Sequence, residues 1–506
     1  MSVTAFLQSP WLNSHKTYED HSSFNIRPAP EFATAEVVVA STYRASGFGG
    51  HAESSVPSAG RVFEKAANKV TTGANGSRVS VELWRTVLNG ALDSPKQPNQ
   101  SARRFLQLCP IVPDVALYSG SARLSGNSWN PGSLVERIVR LGSPSSDAAQ
   151  RLWSALHEGL SIGEDDDVWA RWLQEEMERR RTAQVEWSPT ELRDHPTLPD
   201  PDKAGLRIPA IQMAHDLAAV LGAKPHMTRR QWVSLLEAIL RLGTVAHVLW
   251  LCDVNDRLWR AARDVLEGGV VPSREQARRD IIGSNSSYLV YGAPALPIVR
   301  DLASRYLSAR LGINLLLWHL HDGGDEVRGL SSAAELVGFL GLLAQRRDAL
   351  AGANVLVTLA TLRDEHARTV ACKRGIGSNI VEFCRYALGQ RQAADENLRG
   401  YDQGYELKKR AEYASAPWVV SLGPVAVLAF VHCCLAEAAG PRSVQRLCEH
   451  LGWYGVGVDR DDVAKSDLGK KLRMLGLVLD SPDAESGMLL VPPFELAKTP
   501  LGGPVQ

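Results

Sequence analysis

The sequence has no surplus of charge of either sign. Lysine and arginine together number 56, and aspartate and glutamate also number 56, in a chain of 506 residues. Because no net charge draws polyanions towards the whole surface, nucleic-acid binding would have to depend on a local group of cations. Hydrophobic residues make up 44% of the chain and charged residues 22%, which is ordinary for a soluble globular protein.

Cysteine is scarce, and its spacing does not fit the common disulfide and zinc patterns. The seven cysteines are scattered, and no CxxC pair occurs. Cys433 and Cys434 are adjacent within an apolar run, where two thiolates would be difficult to direct at one metal ion. We therefore expect reduced thiols and no metal site, as in a cytoplasmic protein. The first 30 residues lack the basic and then apolar stretch of a secretion signal, which favours the same location.

The common motifs of catalysis are also missing. The sequence contains no phosphate-binding GxxxxGK(S/T) loop, no GxSxG nucleophile turn and no HExxH metal motif. We therefore expect no cofactor, and we expect a protein without enzymatic activity of its own.

The most informative pattern is a pair of predicted helices near the C-terminus. Apolar residues spaced at i, i+3, i+4 and i+7 follow Ser443 and predict a helix, namely Val444, Leu447, Cys448 and Leu451. Gly455 and Gly457 would end this helix. A second helical run over 466–476 carries its apolar residues on one face, namely Leu468, Leu472 and Leu475.

Two short strands are predicted after these helices. Residues 477–480 and 488–491 are apolar and are separated by the polar turn 481–487. Pro492 and Pro493 would end the sheet, because proline cannot donate to a ladder. The order helix, helix, hairpin resembles that of winged helix-turn-helix domains. The resemblance covers residues 416–497 and implies a small module with three helices and a β-hairpin.

Such a module needs a further helix before these two, and residues 414–436 supply the candidate. This stretch contains no charged side chain and is long enough to cross a bilayer. Gly423 and Pro424, however, form a helix-start pattern in its middle, and no basic cluster lies close enough to set a topology. We expect a buried first helix and no membrane contact, with a membrane span as the alternative. His432 within this run is interpreted as a core histidine.

The second of the paired helices is the predicted nucleic-acid contact. On a helical wheel with Leu468 inward, Ser466, Lys470 and Arg473 lie on the opposite face, and Lys471 lies at its flank. Cations beside small polar side chains suit a helix that contacts DNA. Four acids near the start of this helix would repel phosphate, namely Asp459, Asp461, Asp462 and Asp467. Because winged modules also bind proteins, protein docking is the alternative use of this surface.

The rest of the chain predicts a mainly α-helical, multidomain array. Residues 1–80 are rich in serine, glycine, alanine and proline, with a β-like piece at 35–40, and we expect an irregular, partly extended segment. Its isolated aromatic residues would anchor on a partner, namely Trp11, Phe24, Phe32 and Phe48. Helical domains are expected at 81–193 and at 209–413, and four prolines within 194–209 favour a linker between them.

Two segments carry an arginine-to-histidine spacing that resembles the ribonuclease motif of HEPN domains. In that family an arginine and a histidine on one helix line a cleft that forms on dimerisation. The pairs here are Arg151 with His157 and Arg241 with His247. Neither arginine is followed by the polar residue usual in the motif, and two matches in one chain show how common the spacing is.

His319, His321 and Asp322 offer metal-ligand types, but they lie at the end of a predicted helix. Residues two apart on a helix point about 200° apart, so the two histidines would not face one ion. We expect them instead to favour the helix C-terminus through its dipole.

Asp402, Glu406 and Lys408 follow a pattern that resembles the one in metal-dependent nucleases, in which an acidic residue is followed along the chain by Glu-x-Lys. Those enzymes place the last two residues on one face of a strand. Residues 406–412 have strong helix propensity instead, so a helix is predicted there.

These observations favour a non-enzymatic nucleic-acid-binding or adaptor subunit of a larger bacterial-type assembly, such as an antiphage or DNA-processing system. DNA and other proteins of that assembly are the expected partners. The alternatives are a cryptic metal-dependent or HEPN-like nuclease and a scaffold that binds only proteins.

Overall fold

The computed structural model describes residues 2–25, 33–49, 51, 55–68, 79–92, 94, 105–106, 108–121, 131–181, 185–194, 196–283, 287–327, 329–391, 400–413, 415–436, 442–479 and 488–494. Within this part of the chain helices predominate, and the strands are two or three residues long. The predicted mainly α-helical fold class is confirmed.

The described part of the N-terminal region is helical. Its helices are α1 (Val3–Gln8), α2 (Pro10–His21), α3 (Ala35–Gly47), α4 (Val56–Asn68) and α5 (Val81–Val87). The predicted extended piece at 35–40 is wrong, since these residues begin α3. Val37, Val38 and Val39 are completely buried there, so packing on every side outweighs the preference of β-branched residues for strands.

The aromatic residues of this region pack into the core of their own chain. Phe24 lies edge-on to Trp250, with ring centroids 6.1 Å apart, and Phe48 packs against Trp187 at 5.0 Å. Trp11 is half-buried. The prediction that these residues anchor on a partner is therefore wrong for Phe24 and Phe48, while Phe32 lies outside the described residues.

The next part of the chain has five helices and two strands among its described residues. They are α6 (Pro113–Ala116), α7 (Pro131–Gly142), α8 (Ser146–Leu160), α9 (Val168–Arg179), α10 (Asp200–Lys203), β1 (Phe105–Leu106) and β2 (Gly120–Ser121). The proline-rich stretch predicted as a linker follows α9. Leu198, Leu206 and Ile208 are 1%, 5% and 0% exposed there, so the apolar residues between the prolines hold this stretch against the core.

Long helices form the centre of the molecule. This region contains α11 (Pro209–Ala223), α12 (Arg229–Leu266), α13 (Arg274–Gln276), α14 (Leu296–Asp322), α15 (Ala333–Gln345), α16 (Arg347–Gly352), α17 (Val355–Glu365), α18 (Ala367–Val370) and α19 (Ile376–Leu388). Thr228 caps α12 in a reciprocal box with Gln231. Helices α12 and α14 pack closely at Gly312, where a Cβ would lie 2.6 Å from the indole ring of Trp259.

Helix α12 is the one described helix that is long and apolar enough to cross a membrane. Of its most apolar window, 94% is buried inside the protein. Helix α20 (Pro424–Ala436), which contains most of the uncharged run expected to open the C-terminal module, has 13 residues and a largely buried surface. Both helices therefore have the burial of core helices.

The remaining elements are short strands and small helices. They are β3 (Leu289–Val290), β4 (Leu407–Lys409), β5 (Trp418–Val420), α21 (Val444–Trp453), β6 (Val456–Gly457), α22 (Arg460–Val463), α23 (Asp467–Met474), β7 (Val478–Leu479) and β8 (Leu489–Leu490). Antiparallel pairs form between β1 and β2, β4 and β5, and β7 and β8, while β3 pairs in parallel with β6. The helix predicted over 406–412 is wrong, because Leu407 to Lys409 pair with Val420 to Trp418.

A continuous hydrophobic core connects these elements, and its members extend along the chain from Phe6 to Leu490. A smaller cluster lies beside it, with Phe63, Trp84 and Tyr118 among its members. The domain boundaries proposed from the sequence remain predictions.

Candidate nucleic-acid interface

The C-terminal hairpin is joined to the chain that precedes α21. Val478 of β7 pairs with Leu490 of β8, and Ser443 forms an antiparallel bridge with Leu489. The amide of Leu490 also donates to the carbonyl of Arg442. Three short chain segments therefore lie side by side, with β8 in the middle, segment 442–443 on one side and β7 on the other. Along the chain, α21 and α23 lie between segment 442–443 and β7.

Helix α21 attaches this region to α11. Asp216 accepts a hydrogen bond from the hydroxyl of Tyr454 at 2.7 Å, and its same oxygen lies 2.9 Å from Nε2 of His450. All three side chains are buried. Immediately after α21, Val456 pairs with Leu289 of the body. These contacts fix the C-terminal region on the helical body before the chain reaches α23.

Helix α23 begins where the sequence predicted and buries the predicted face. Ser466 is its N-cap, and its hydroxyl accepts from the amide of Gly469 at 3.4 Å. Leu468 and Leu472 are fully buried. The side chains of Lys470 and Arg473 are exposed, as expected from the helical wheel.

Lys471 does not belong to the exposed surface. Its ammonium group donates to the carbonyl of Leu422 at 2.5 Å, to Oγ of Ser421 at 3.1 Å and to Asp467 at 2.6 Å. It also lies 5.5 Å from the ring centre of Tyr405. Burial lowers the pKa of Lys471, while the bond with Asp467 raises it in part. The predicted position of Lys471 beside a nucleic acid is therefore wrong, because this side chain turns inward and joins α23 to the chain before α20.

Arg473 lies across the module and remains exposed. Its guanidinium donates to the carbonyl of Ala464 at 2.8 Å and to the sulfur of Met488 at 3.4 Å. These contacts direct the arginine towards Met488, which directly precedes β8. Met474 of α23 and Leu479 of β7 are 69% and 64% exposed.

The charges around α23 are mixed. Lys465 and Lys408 add exposed cations. Burial raises the pKa of Asp467, whereas Lys471 and, to a smaller extent, Lys408 lower it, and the net effect is a lowered pKa of this carboxyl. Asp461 and Asp462 on α22 are exposed acids. The cations that face solvent on α23 itself are Lys470 and Arg473.

In both of the HEPN-like pairs the histidine is buried inside the chain. His157 is buried beneath Trp187, with the rings stacked at 4.7 Å, whereas Arg151 is exposed. His247 is also buried, and desolvation together with Arg137 lowers its pKa to about 3. A histidine held neutral in the core cannot exchange protons with a substrate at neutral pH.

The second arginine of those pairs, Arg241, lies in a buried network of charged groups. Its guanidinium donates to both carboxylate oxygens of Asp402, at 2.9 and 3.2 Å, and lies 3.3 Å from Glu406. Arg391 donates to Glu36 and to Glu237. We call these six residues the charge cluster. It joins α3, α12 and the chain on either side of the residues 392–399.

The protonation of the charge cluster follows from its burial. Burial raises the pKa of Glu406 well above its ordinary value, and Arg241 offsets this only in part. Burial also raises the pKa of Asp402, but Arg241 and Arg391 outweigh it and the pKa falls below its usual range. Lys408 is exposed and lies outside the cluster, so the nuclease-like order of Asp402, Glu406 and Lys408 does not form one site.

The other proposed metal ligands lie at a helix end, as expected. His319, His321 and Asp322 form the last turn of α14, and Asp322 accepts a hydrogen bond from the amide of Val3 at 2.9 Å. His432 is buried, with Nε2 3.2 Å from the carbonyl of Ala219. Within the described residues, no group of three or more histidine, cysteine or acidic side chains could hold a metal ion.

No family model matches the chain, and no curated protein or solved structure matches it either.

Sequence reasoning missed the charge cluster, although a signal for it exists. Glu237 and Arg241 are four residues apart in a helix, and Arg241 lies between Ile239, Leu240 and Leu242, which are buried. An arginine on the apolar face of a helix needs a partner inside the protein. Asp402 and Glu406 come from a distant part of the chain, so the pattern alone could not name them.

Proposed function

We propose that this chain is a non-enzymatic nucleic-acid-binding adaptor, and that residues 416–497 form a winged helix-turn-helix module that contacts DNA. The order α20, segment 442–443, α21, β6, α22, α23, β7, β8 supports this proposal, since it contains three helices of eight or more residues followed by a hairpin. In a winged module the strand before the second helix pairs with the hairpin, and the bridge from Ser443 to Leu489 has this position. Protein partners of a larger assembly belong to the same proposal, whereas an antiphage or DNA-processing setting stays a prediction.

The observation that carries the proposal is the exposed pair Lys470 and Arg473 on α23. Leu468 and Leu472 on the inner side of this helix are fully buried, and Lys471 at its flank donates a hydrogen bond to the carbonyl of Leu422. The outer side therefore has a fixed orientation, and a fixed pair of cations suits the phosphates of a duplex. Since α23 has eight residues, about two turns, it can present only a few side chains to a groove.

The test is fluorescence anisotropy with a labelled 20-base-pair duplex of mixed sequence at several salt concentrations. We expect the Lys470→Glu/Arg473→Glu variant to bind about tenfold or more weakly, because two phosphate contacts become repulsive. The matched control is Arg363→Glu/Arg368→Glu, which makes the same charge change on exposed positions of α17 and α18. Equal loss of binding in both double variants would show that only net charge matters and would contradict the assignment of α23.

A protein-only scaffold is the second candidate, and two exposed apolar side chains of the C-terminal region favour it. Met474 of α23 and Leu479 of β7 are largely exposed, and exposed apolar side chains are common in protein-binding surfaces. Asp461 and Asp462 on the neighbouring α22 also repel phosphate. If the wild-type protein binds no duplex at low salt, this second function replaces the first.

A further inference from the structure

Helix α9 begins with two apolar side chains that face solvent. Val168 is 72% exposed and Trp169 is 37% exposed. The indole of Trp169 stacks on that of Trp172, with ring centroids 5.0 Å apart and an angle of 28° between the planes. Trp172 in turn packs against the smaller hydrophobic cluster. We call Val168, Trp169 and Trp172 the tryptophan patch.

The tryptophan patch rests on a rigid base. Asp167 caps α9 by accepting from the amide of Ala170 at 2.9 Å, and its other oxygen accepts from the amide of Arg229 at 2.8 Å. Asp166 is buried and accepts from the ammonium of Lys224 at 3.3 Å. The first turn of α9 is thus fixed to the first turn of α12. A large aromatic side chain held in this way loses little conformational entropy when a partner binds.

Around the start of α9, between residues 163 and 171, two acids and one cation are exposed, namely Glu164, Asp165 and Arg171. Glu164 and Asp165 are exposed in the loop that leads into α9, and Glu175 is exposed two turns along the helix. Arg179 forms ion pairs with Glu175 and Glu176, whereas Glu164 and Asp165 precede the helix. These carboxylates would repel the phosphates of a nucleic acid and attract cations.

We propose that the tryptophan patch binds a segment of a partner protein that carries arginine or lysine next to an apolar side chain. The face of an exposed indole attracts a guanidinium or ammonium group, and Glu164 and Asp165 complement its charge. Val168 provides apolar contact for the neighbouring side chain. Tryptophan and arginine are the residues that most often dominate the energy of protein interfaces. This surface is distinct from α23 and does not depend on nucleic-acid binding.

The probe is a fluorescein-labelled peptide of four Arg-Leu-Gly repeats, and anisotropy measures its affinity for the full chain. We expect the Trp169→Ala variant to bind it about tenfold more weakly, and Trp169→Phe to restore part of the loss because a phenyl ring keeps the aromatic face. The Glu164→Gln/Asp165→Asn variant should bind about threefold or more weakly. The matched control, Asp461→Asn/Asp462→Asn, removes two exposed acids elsewhere and should bind like the wild type.

Further measurements separate the proposal from its rivals. A peptide of four Glu-Leu-Gly repeats should not bind, and a duplex DNA should not compete with the arginine peptide at the patch. Thermal melting of each variant excludes a loss of folding as the cause. The proposal is overturned if Trp169→Ala leaves the affinity unchanged while folded, or if the control loses as much affinity as Glu164→Gln/Asp165→Asn. It is also overturned if sedimentation shows a wild-type dimer that Trp169→Ala dissociates, because the patch is then an interface between copies of this chain.

Discussion

The charge cluster around Arg241 and the outer surface of α23 hold the same kinds of side chain in opposite surroundings. Arg241, Asp402 and Glu406 are at most 1% exposed, and their contacts are with one another, with the other members of the charge cluster and with the backbone. Lys470 and Arg473 face solvent. Both regions contain cations and acids in the sequence. The difference between them is burial, which favours a structural role for the charge cluster and makes the outer face of α23 the candidate for binding.

The difference in burial changes what each charge contributes. A buried charge loses its hydration, so it is tolerated only while all its partners are in place. An exposed charge keeps its hydration and contributes little to folding. Substitutions in the charge cluster should therefore change stability strongly, and substitution of the exposed Lys470 should change stability little.

Replacing Arg241 by leucine should have the largest effect. The change leaves Asp402 and Glu406 buried without their main partner and removes the bonds to the carbonyls of Ala387 and Gly389. We expect a loss of about 3–5 kcal/mol in the free energy of unfolding, measured by urea denaturation. The control is Arg263→Leu on the same helix, whose ion pair with Glu267 is half exposed, and there the loss should stay below about 0.5 kcal/mol. Similar losses in both variants would contradict the contrast.

Replacing Glu406 by glutamine should alter how stability depends on pH. Because burial raises the pKa of Glu406, the folded protein retains a proton that the unfolded chain releases. The favourable contribution of this proton to the free energy of unfolding is complete below about pH 4.3, the pKa of glutamate in the unfolded chain. This contribution is lost as the pH rises above that value. Glutamine has no such proton to retain.

The stability of Glu406→Gln relative to the wild type should thus increase from pH 5 to pH 8, by up to about 1.4 kcal/mol per pH unit. Urea denaturation at four pH values measures this difference. A difference that is constant or that decreases with pH would mean that Glu406 is ionised in the folded protein and pairs with Arg241.

The two adjacent lysines of α23 allow the same comparison within one helix. Lys471→Met removes the bonds to Leu422, Ser421 and Asp467 and leaves the carbonyl of the buried Leu422 without this donor. We expect a loss of about 1–2 kcal/mol in the free energy of unfolding. Lys470→Met at the neighbouring exposed position is the control and should leave stability within about 0.5 kcal/mol. If both variants melt alike, Lys471 does not hold α23 against the chain before α20.

Local pattern was sufficient for the helices of the C-terminal region. The helix starts at Ser443 and Ser466 and the buried side of α23 are determined by residues within one or two turns of each other. These features depend on nearest neighbours along the chain, so a single sequence contains them.

Features that depend on distant partners could not be predicted in this way. The stretch 35–40 has a strand-like composition and becomes helical because the surrounding core buries it completely. Glu406 begins a stretch with helix propensity, and its neighbours form a strand because β5 pairs with them. The inward turn of Lys471 depends on the carbonyl of Leu422, 49 residues away along the chain. In each case tertiary contacts outweigh a local preference of a few tenths of a kcal/mol per residue, about the size of intrinsic propensities.

The smallest effect on folding, and the most direct view of binding, is expected for Lys470→Gln. This change removes one exposed charge and no hydrogen bond that holds α23 in place, so the melting temperature should be unchanged. If Lys470 contacts a phosphate, the slope of log affinity against log salt concentration should fall by about one unit, since one fewer counterion is released from the DNA. Affinity should fall equally for duplexes of different sequence, because a phosphate contact carries no base information. The contrary result is a slope that Lys470→Gln leaves unchanged and Arg473→Gln reduces. The phosphate contact would then be restricted to Arg473, which lies against the hairpin. The interface would centre on β8 rather than on the outer face of α23.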